Sequence, residues 1–122
     1  MMKDDYKQNG FYSPLVLFSL EQAKIYRNYL EEVENKIGPL HYFAKTYTMM
    51  RWVYEIATNK ILLDFVEDLI GQNILLYNAT FIIKEAMTKT HVSWHQDLTY
   101  WGFDDNEKQV SAWLALSNAD ET

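Results

Sequence analysis

Apolar residues in the first part of the chain recur at the spacing of an α-helix. They follow one another at steps of four, three and four, which places them on one helical face. Ser19 predicts the N-cap of this helix, and Gln22 stands where a capping box has Glu or Gln. Gly38 and Pro39 predict its end. The apolar face consists of Tyr26, Leu30, Val33 and Ile37.

The following segments continue the helical pattern as far as Gly71. Residues 42–57 are rich in Tyr, Met and Trp and are predicted to be helical. Asn59 predicts the cap of a further helix, and Gly71 predicts its end. The apolar residues that this helix would turn inward are Leu62, Phe65, Val66 and Leu69.

The pattern changes after Gly71 from helical spacing to apolar runs and strict alternation. Residues 73–84, NILLYNATFIIK, are rich in branched and aromatic side chains and free of Gly and Pro, which predicts a strand. Residues 110–117, VSAWLALS, alternate and predict a second strand with one apolar face. The two faces are Val110, Ala112, Leu114 and Leu116 against Ser111, Trp113, Ala115 and Ser117. Helices followed by strands predict an α+β fold, with helices packed on a mostly antiparallel sheet or barrel.

Composition narrows the class of protein. With 122 residues, 48% of them hydrophobic and 16% aromatic, the chain suffices for one packed domain. A net charge of -6 argues against nucleic acid or an anionic membrane surface as a partner. The absence of Cys excludes disulfides, thiolate zinc sites and cysteine nucleophiles. A polar N-terminus, and no apolar run near the ~20 residues of a membrane span, predict a soluble, cytoplasmic protein.

The stretch VSWHQD, residues 92–97, carries the candidate chemistry. It predicts a short strand, in which His95 and Asp97 would project from the same face. An imidazole nitrogen and a carboxylate oxygen at one point are good ligands for divalent iron, manganese or zinc. A surface histidine hydrogen-bonded to a nearby carboxylate explains the same spacing. His91 offers a third local ligand if its loop folds back on the metal.

The wider context of this pair resembles the phytanoyl-CoA dioxygenase family of non-haem iron, 2-oxoglutarate-dependent oxygenases. The resemblance rests on WHQDLTYWGF and VSAWLALSNADET, and it extends from Asn78, through ATFIIKEA, to the last residue. It implies that His95 and Asp97 are two of the three iron ligands. Trp113 would line the pocket for the co-substrate 2-oxoglutarate, and Thr80 would be a further contact with it. The fold implied is a double-stranded β-helix, a jelly-roll or cupin-like barrel, preceded by helices.

The activity implied by this resemblance is that of an Fe(II)- and 2-oxoglutarate-dependent dioxygenase. Such an enzyme hydroxylates a small organic metabolite and releases succinate and CO2. The carboxylate of Asp97 favours hydroxylation, because halogenating relatives have a small residue in that place. The alternatives are a catalytically inert fragment, a non-catalytic binding or assembly module with the same fold, and a zinc or manganese site for hydrolysis.

The family pattern also contains a second metal histidine and an arginine for 2-oxoglutarate, both downstream of the segment 110–117. Thr122 is the last residue of the sequence, before either of them. We therefore expect residues 1–122 to be the N-terminal part of one oxygenase domain, with 1–71 mostly helical and 72–122 supplying the first barrel strands. Alone, this chain would be inactive, and exposed strand edges would allow it to associate with copies of itself.

Overall fold

Helices make up most of the chain before Gly71 in this computed structural model, which describes residues 2–103 and 108–119. The helices are α1 (Met2–Asn9), α2 (Leu20–Ile37), α3 (Arg51–Ala57), α4 (Lys60–Ile70) and the short α5 (Leu98–Trp101). A 3-10 turn at Thr46–Thr48 precedes α3. Within the described ranges, each helix is too short or too polar to cross a membrane.

The predicted ends of α2 and α4 are confirmed by their capping contacts. The backbone N–H of Gln22 donates a hydrogen bond of 3.1 Å to Ser19 Oγ at the start of α2. Asn59 Oδ1 accepts a hydrogen bond of 2.9 Å from the first turn of α4. The two helices end at Gly38 and Gly71, with φ angles of 95° and 94°. Only glycine adopts such angles readily, so the backbone conformation of each glycine is sufficient to end its helix.

The hydrophobic core lies between α2, α3 and the loop that joins them. Leu40, in this loop, is the most deeply buried apolar residue of the described chain, at 2% exposure. Trp52 of α3 stacks on Tyr26 of α2, with ring centroids 5.5 Å apart and an interplanar angle of 13°. The buried members of this core are Leu30, Leu40, Met50 and Val53. The partly buried residues packed around them are Val33, Tyr47, Trp52, Ala79, Phe81, Ile83 and Leu116.

Two helical segments differ from the prediction. Residues 42–57 are helical only in the 3-10 turn and in α3, because Tyr42 and Lys45 have positive φ angles of 58° and 56°, which a helix cannot contain. The sequence did not predict α1, which is polar and buries no residue. Helix α1 contacts α4 through an edge-on pairing of Tyr6 with Phe65, at a centroid distance of 6.4 Å.

The expected α+β fold with a jelly-roll barrel is wrong for the described residues, which contain no sheet. Their pairing is limited to an isolated parallel bridge between His41 and Phe81. The backbone of residues 73–84 instead pairs with the loop before α3: the Thr46 N–H donates to the Ala79 carbonyl at 3.0 Å and the Tyr42 N–H to the Phe81 carbonyl at 2.9 Å. A ladder propagates only along a partner that is itself extended, and this partner turns into the 3-10 turn.

Alternation along the two predicted strands is nevertheless visible in their burial. Ala79, Phe81 and Ile83, every second residue, pack against the helical core. Leu116 of the second segment joins them, whereas Trp113, an odd number of residues away, is 69% exposed. Each segment therefore buries one face, but against helices rather than in a sheet. Residues 72–122, expected to supply barrel strands, form none in their described part.

Candidate functional site

The backbone around His95 is not the predicted strand. Residues 91–96 have no regular structure, and Asp97 already has the helical angles φ -56° and ψ -41° as the residue before α5. The two side chains nevertheless converge, since His95 Nε2 lies 3.1 Å from Asp97 Oδ1. A turn into a helix therefore produces the proximity that an i, i+2 pair on a strand face would have produced.

The imidazole of His95 is held in one tautomer by the backbone. Its Nδ1 lies 2.7 Å from the carbonyl oxygen of Ser93. A carbonyl oxygen only accepts hydrogen bonds, so Nδ1 carries the proton and donates. In the neutral ring Nε2 is then unprotonated, and its lone pair faces the carboxylate of Asp97. Two lone pairs at this distance repel each other unless a proton or a metal ion is shared between them.

The electrostatics of the pair follow from these contacts. The hydrogen bond to the Ser93 carbonyl raises the pKa of His95 above its ordinary value. Desolvation lowers the pKa, and the side chain of Asp97 raises it again by hydrogen bonding and by its charge. Both side chains are 37% exposed, so water and ions reach them freely.

The second oxygen of Asp97 contacts a residue distant in sequence. The hydroxyl of Ser111 donates to Asp97 Oδ2 with an oxygen–oxygen distance of 2.5 Å. The sequence did not single out Ser111 as a site residue. The available signal was its position on the same alternating face as Trp113, two residues away. The contact itself joins residues 14 apart, which local pattern cannot reveal.

The pair fits two adjacent positions of a divalent metal. Ligands held about 2.0–2.2 Å from a metal and at right angles to each other lie about 3 Å apart. The Nε2 to Oδ1 separation of 3.1 Å matches this spacing. A neutral imidazole and a carboxylate are also two members of the ligand set that two histidines and a carboxylate supply to non-haem Fe(II). Among the described residues, no third His, Cys, Asp or Glu completes the group, so His91 does not serve as a local third ligand.

Aromatic rings hold the helix that follows the pair. Tyr77 contacts Trp101 at a centroid distance of 5.4 Å and Phe103 at 4.7 Å, which ties α5 to the segment 73–84. The ring of Tyr100 lies edge-on to His95 at 6.0 Å. A shallow surface depression beside the histidine is lined by Val92, Ser93, Trp94 and His95.

The two residues predicted to contact 2-oxoglutarate lie differently with respect to the pair. Trp113 shares a segment with Ser111, but it is largely exposed and does not line the depression beside His95. Thr80 is exposed, and its hydroxyl donates a hydrogen bond of 2.9 Å to the Phe43 carbonyl. Its described contact therefore supports the loop before α3. A role for either residue in co-substrate binding stays a prediction.

Comparison with known proteins provides a further finding. A sequence model of the family described as phytanoyl-CoA dioxygenase matches residues 15–122, which include every residue of the site described above. Searches of curated proteins and of solved structures found no match.

Proposed function

We propose that this chain, which belongs to the phytanoyl-CoA dioxygenase family, supplies metal ligands of an Fe(II)- and 2-oxoglutarate-dependent oxygenase. The family is one of dioxygenases, and the proposal adds the metal, the co-substrate and the outcome, hydroxylation of a small organic metabolite. The observation that carries it is the convergence of His95 Nε2 and Asp97 Oδ1 at 3.1 Å.

Each residue of the pair has a distinct task in this proposal. His95 would bind the metal through Nε2, and the Ser93 carbonyl would keep the proton on Nδ1 so that Nε2 stays available. Asp97 would bind through Oδ1 and supply the negative charge that a divalent cation requires. With iron and 2-oxoglutarate bound, the site would oxidise a substrate C–H bond with dioxygen, forming the alcohol, succinate and CO2.

The carboxylate at residue 97 also bears on the outcome of the reaction. It would occupy the metal position that a halogenating relative leaves open for a halide, so hydroxylation is the proposed outcome. Trp113 and Thr80 are the proposed contacts for 2-oxoglutarate. The remaining metal ligand and the cation that pairs with the distal carboxylate of the oxoacid would come from outside the described residues.

One observation favours a second candidate, a non-catalytic binding or assembly module. The described residues bring together two metal-ligating side chains and no third. Two ligands hold a divalent ion less tightly than three, and a protein that keeps the family sequence without activity would have the same feature. Metal binding and turnover, measured on the same preparation, separate the two candidates.

The first experiment removes the pair. We expect His95→Ala and Asp97→Ala each to abolish Fe(II)-dependent formation of succinate from 2-oxoglutarate, and to abolish stoichiometric Mn(II) binding measured by electron paramagnetic resonance. Asp68→Ala is the matched control, because it removes an exposed carboxylate on α4. Unchanged Mn(II) binding or turnover in either site variant would refute the assignment. Binding without turnover, in protein that also supplies the remaining metal ligand and the cation for 2-oxoglutarate, would favour the non-catalytic module.

A further inference from the structure

We infer that Ser111 is a positioning residue, which turns the Asp97 carboxylate so that Oδ1 and His95 Nε2 face one divalent cation. This inference rests on the proposed function for its metal, but its geometric content concerns Asp97 alone. The Ser111 hydroxyl donates to Oδ2 at 2.5 Å, while Oδ1 lies 3.1 Å from the imidazole. One oxygen of the carboxylate is thus held, and the other remains directed at the ligand nitrogen.

Asp97 needs an external support because its own helix does not provide one. It stands before α5, yet its side chain makes no capping hydrogen bond to that helix. At 37% exposure the side chain is not enclosed, so rotation about its two torsions is limited by its contacts with His95 and Ser111. A hydroxyl on Oδ2 stops this rotation. It also leaves the lone pairs of Oδ1 for a metal.

The position of Ser111 is itself determined by the core. Five residues along the same segment, Leu116 packs against the cluster that contains Leu30 and Met50. Val110, immediately before the serine, is half-buried. Packing of this segment on the helical core thus fixes the position of Ser111 relative to the carboxylate. The segment belongs to no sheet in the described chain. The hydrogen bond from Ser111 to Asp97 therefore connects the core-packed segment to the candidate metal pair.

A serine suits this task better than a charged donor. Lysine or arginine at residue 111 would form an ion pair with Asp97 and neutralise the charge that attracts the cation. A neutral hydroxyl orients the carboxylate and preserves its charge. Partners of this kind, which bond to a metal ligand rather than to the metal, contribute roughly 10- to 100-fold to metal affinity.

The test compares three variants of the full chain. Ser111→Ala removes the hydroxyl, Ser111→Thr keeps it on a residue that suits an extended segment, and Ser117→Ala removes a hydroxyl from the same alternating face six residues away. We expect Mn(II) affinity, measured by electron paramagnetic resonance, to fall roughly 10- to 100-fold in Ser111→Ala. The other two variants should bind Mn(II) like the unaltered protein.

A second readout needs no metal. In the metal-free protein, the three-bond couplings between Hα and the Hβ protons of Asp97 should report one rotamer, and Ser111→Ala should average them while Ser111→Thr restores them. Unaveraged couplings in Ser111→Ala overturn the inference, as does Mn(II) affinity equal to that of Ser117→Ala. If the unaltered protein binds no Mn(II), the proposed function fails, and the couplings alone decide whether Ser111 orients Asp97.

Discussion

The helical part of the chain, residues 2–71, and the loop part, described over residues 72–103 and 108–119, stabilise their conformations in different ways. Within the described residues, all buried side chains lie in the helical part: Leu30, Leu40, Thr46, Met50, Val53, Leu62 and Val66. The candidate site, by contrast, lies entirely in the loop part, where both members of the pair are 37% exposed. The candidate metal ligands thus lie in the part of the described chain that has no buried side chains.

The loop part is held to the helical part by a small set of contacts. Phe81 reaches Trp52 at a centroid distance of 5.7 Å, and Leu116 packs on the same core. The Thr46 N–H and hydroxyl both donate to the Ala79 carbonyl, at 3.0 Å and 2.9 Å. The site is therefore positioned by contacts between the loop part and the helical core, rather than by packing within the loop part itself. Local mobility at the pair should therefore respond to changes at these contacts.

The largest expected effect is a difference in stability when leucine is replaced by alanine in each of the two parts. Leu40→Ala, in the helical core at 2% exposure, should lower the free energy of unfolding by about 2–5 kcal/mol, because it leaves a cavity. Leu75→Ala, in the loop part at 83% exposure, should change it by less than about 0.5 kcal/mol. Urea denaturation measures both. Equal costs would contradict the division of the chain into a packed part and a docked part.

A smaller effect is expected where the two parts are joined. Thr46→Val keeps the shape of a fully buried side chain but removes the hydroxyl that donates to the Ala79 carbonyl. We expect a loss of about 1 kcal/mol and faster amide hydrogen exchange in the segment 73–84. Thr48→Val is the control, because its exposed hydroxyl donates only within the turn, to the Lys45 carbonyl. If both variants exchange alike, the Thr46 hydroxyl does not hold the loop part in place.

The smallest expected effect is a change in the titration of the pair. The Ser93 carbonyl first, and then Asp97, raise the pKa of His95. A nuclear magnetic resonance titration should therefore give a pKa above that of an ordinary histidine. Asp97→Asn should lower the pKa only in part, since the Ser93 contact remains. A pKa at or below the ordinary value in the unaltered protein would contradict the two contacts.

The sign of the pH dependence follows from this raised pKa. The folded pKa lies above the unfolded one, so the contribution of the protonated pair to stability is complete below the unfolded pKa. It is lost as pH rises through the folded pKa. Metal binding runs in the opposite direction, because the metal needs the unprotonated Nε2. Mn(II) affinity should accordingly rise through the same pH window, and a pH-independent affinity would exclude His95 as a ligand.

The capped helices could be predicted because their signals are local. Ser19 and Asn59 bond to backbone groups two or three residues ahead, and Gly38 and Gly71 end their helices through their own φ angles. The strands could not be predicted in the same way. The run 73–84 has the composition of a strand, but whether it becomes one depends on what lies beside it, which here is a loop and a 3-10 turn.

The candidate site illustrates both cases. The proximity of His95 and Asp97 was predicted correctly, but from a strand that the described chain does not contain, and a short turn between near neighbours produces the same proximity. Ser111 was missed because its contact closes a loop of 14 residues. The assignment of Trp113 and Thr80 to the co-substrate stays a prediction.

The sequence by itself determined where α2 and α4 begin and end, which residues carry candidate metal chemistry, and which family the chain resembles. Helical hydrogen bonds join residues four apart, and His95 and Asp97 are two residues apart, so a short stretch of sequence is enough to predict each of them. Tertiary structure alone decided that residues 73–84 and 110–117 dock on helices, and that a hydroxyl from the second segment meets the Asp97 carboxylate. An extended segment leaves its backbone groups and one face unsatisfied, and only the rest of the folded chain determines what satisfies them.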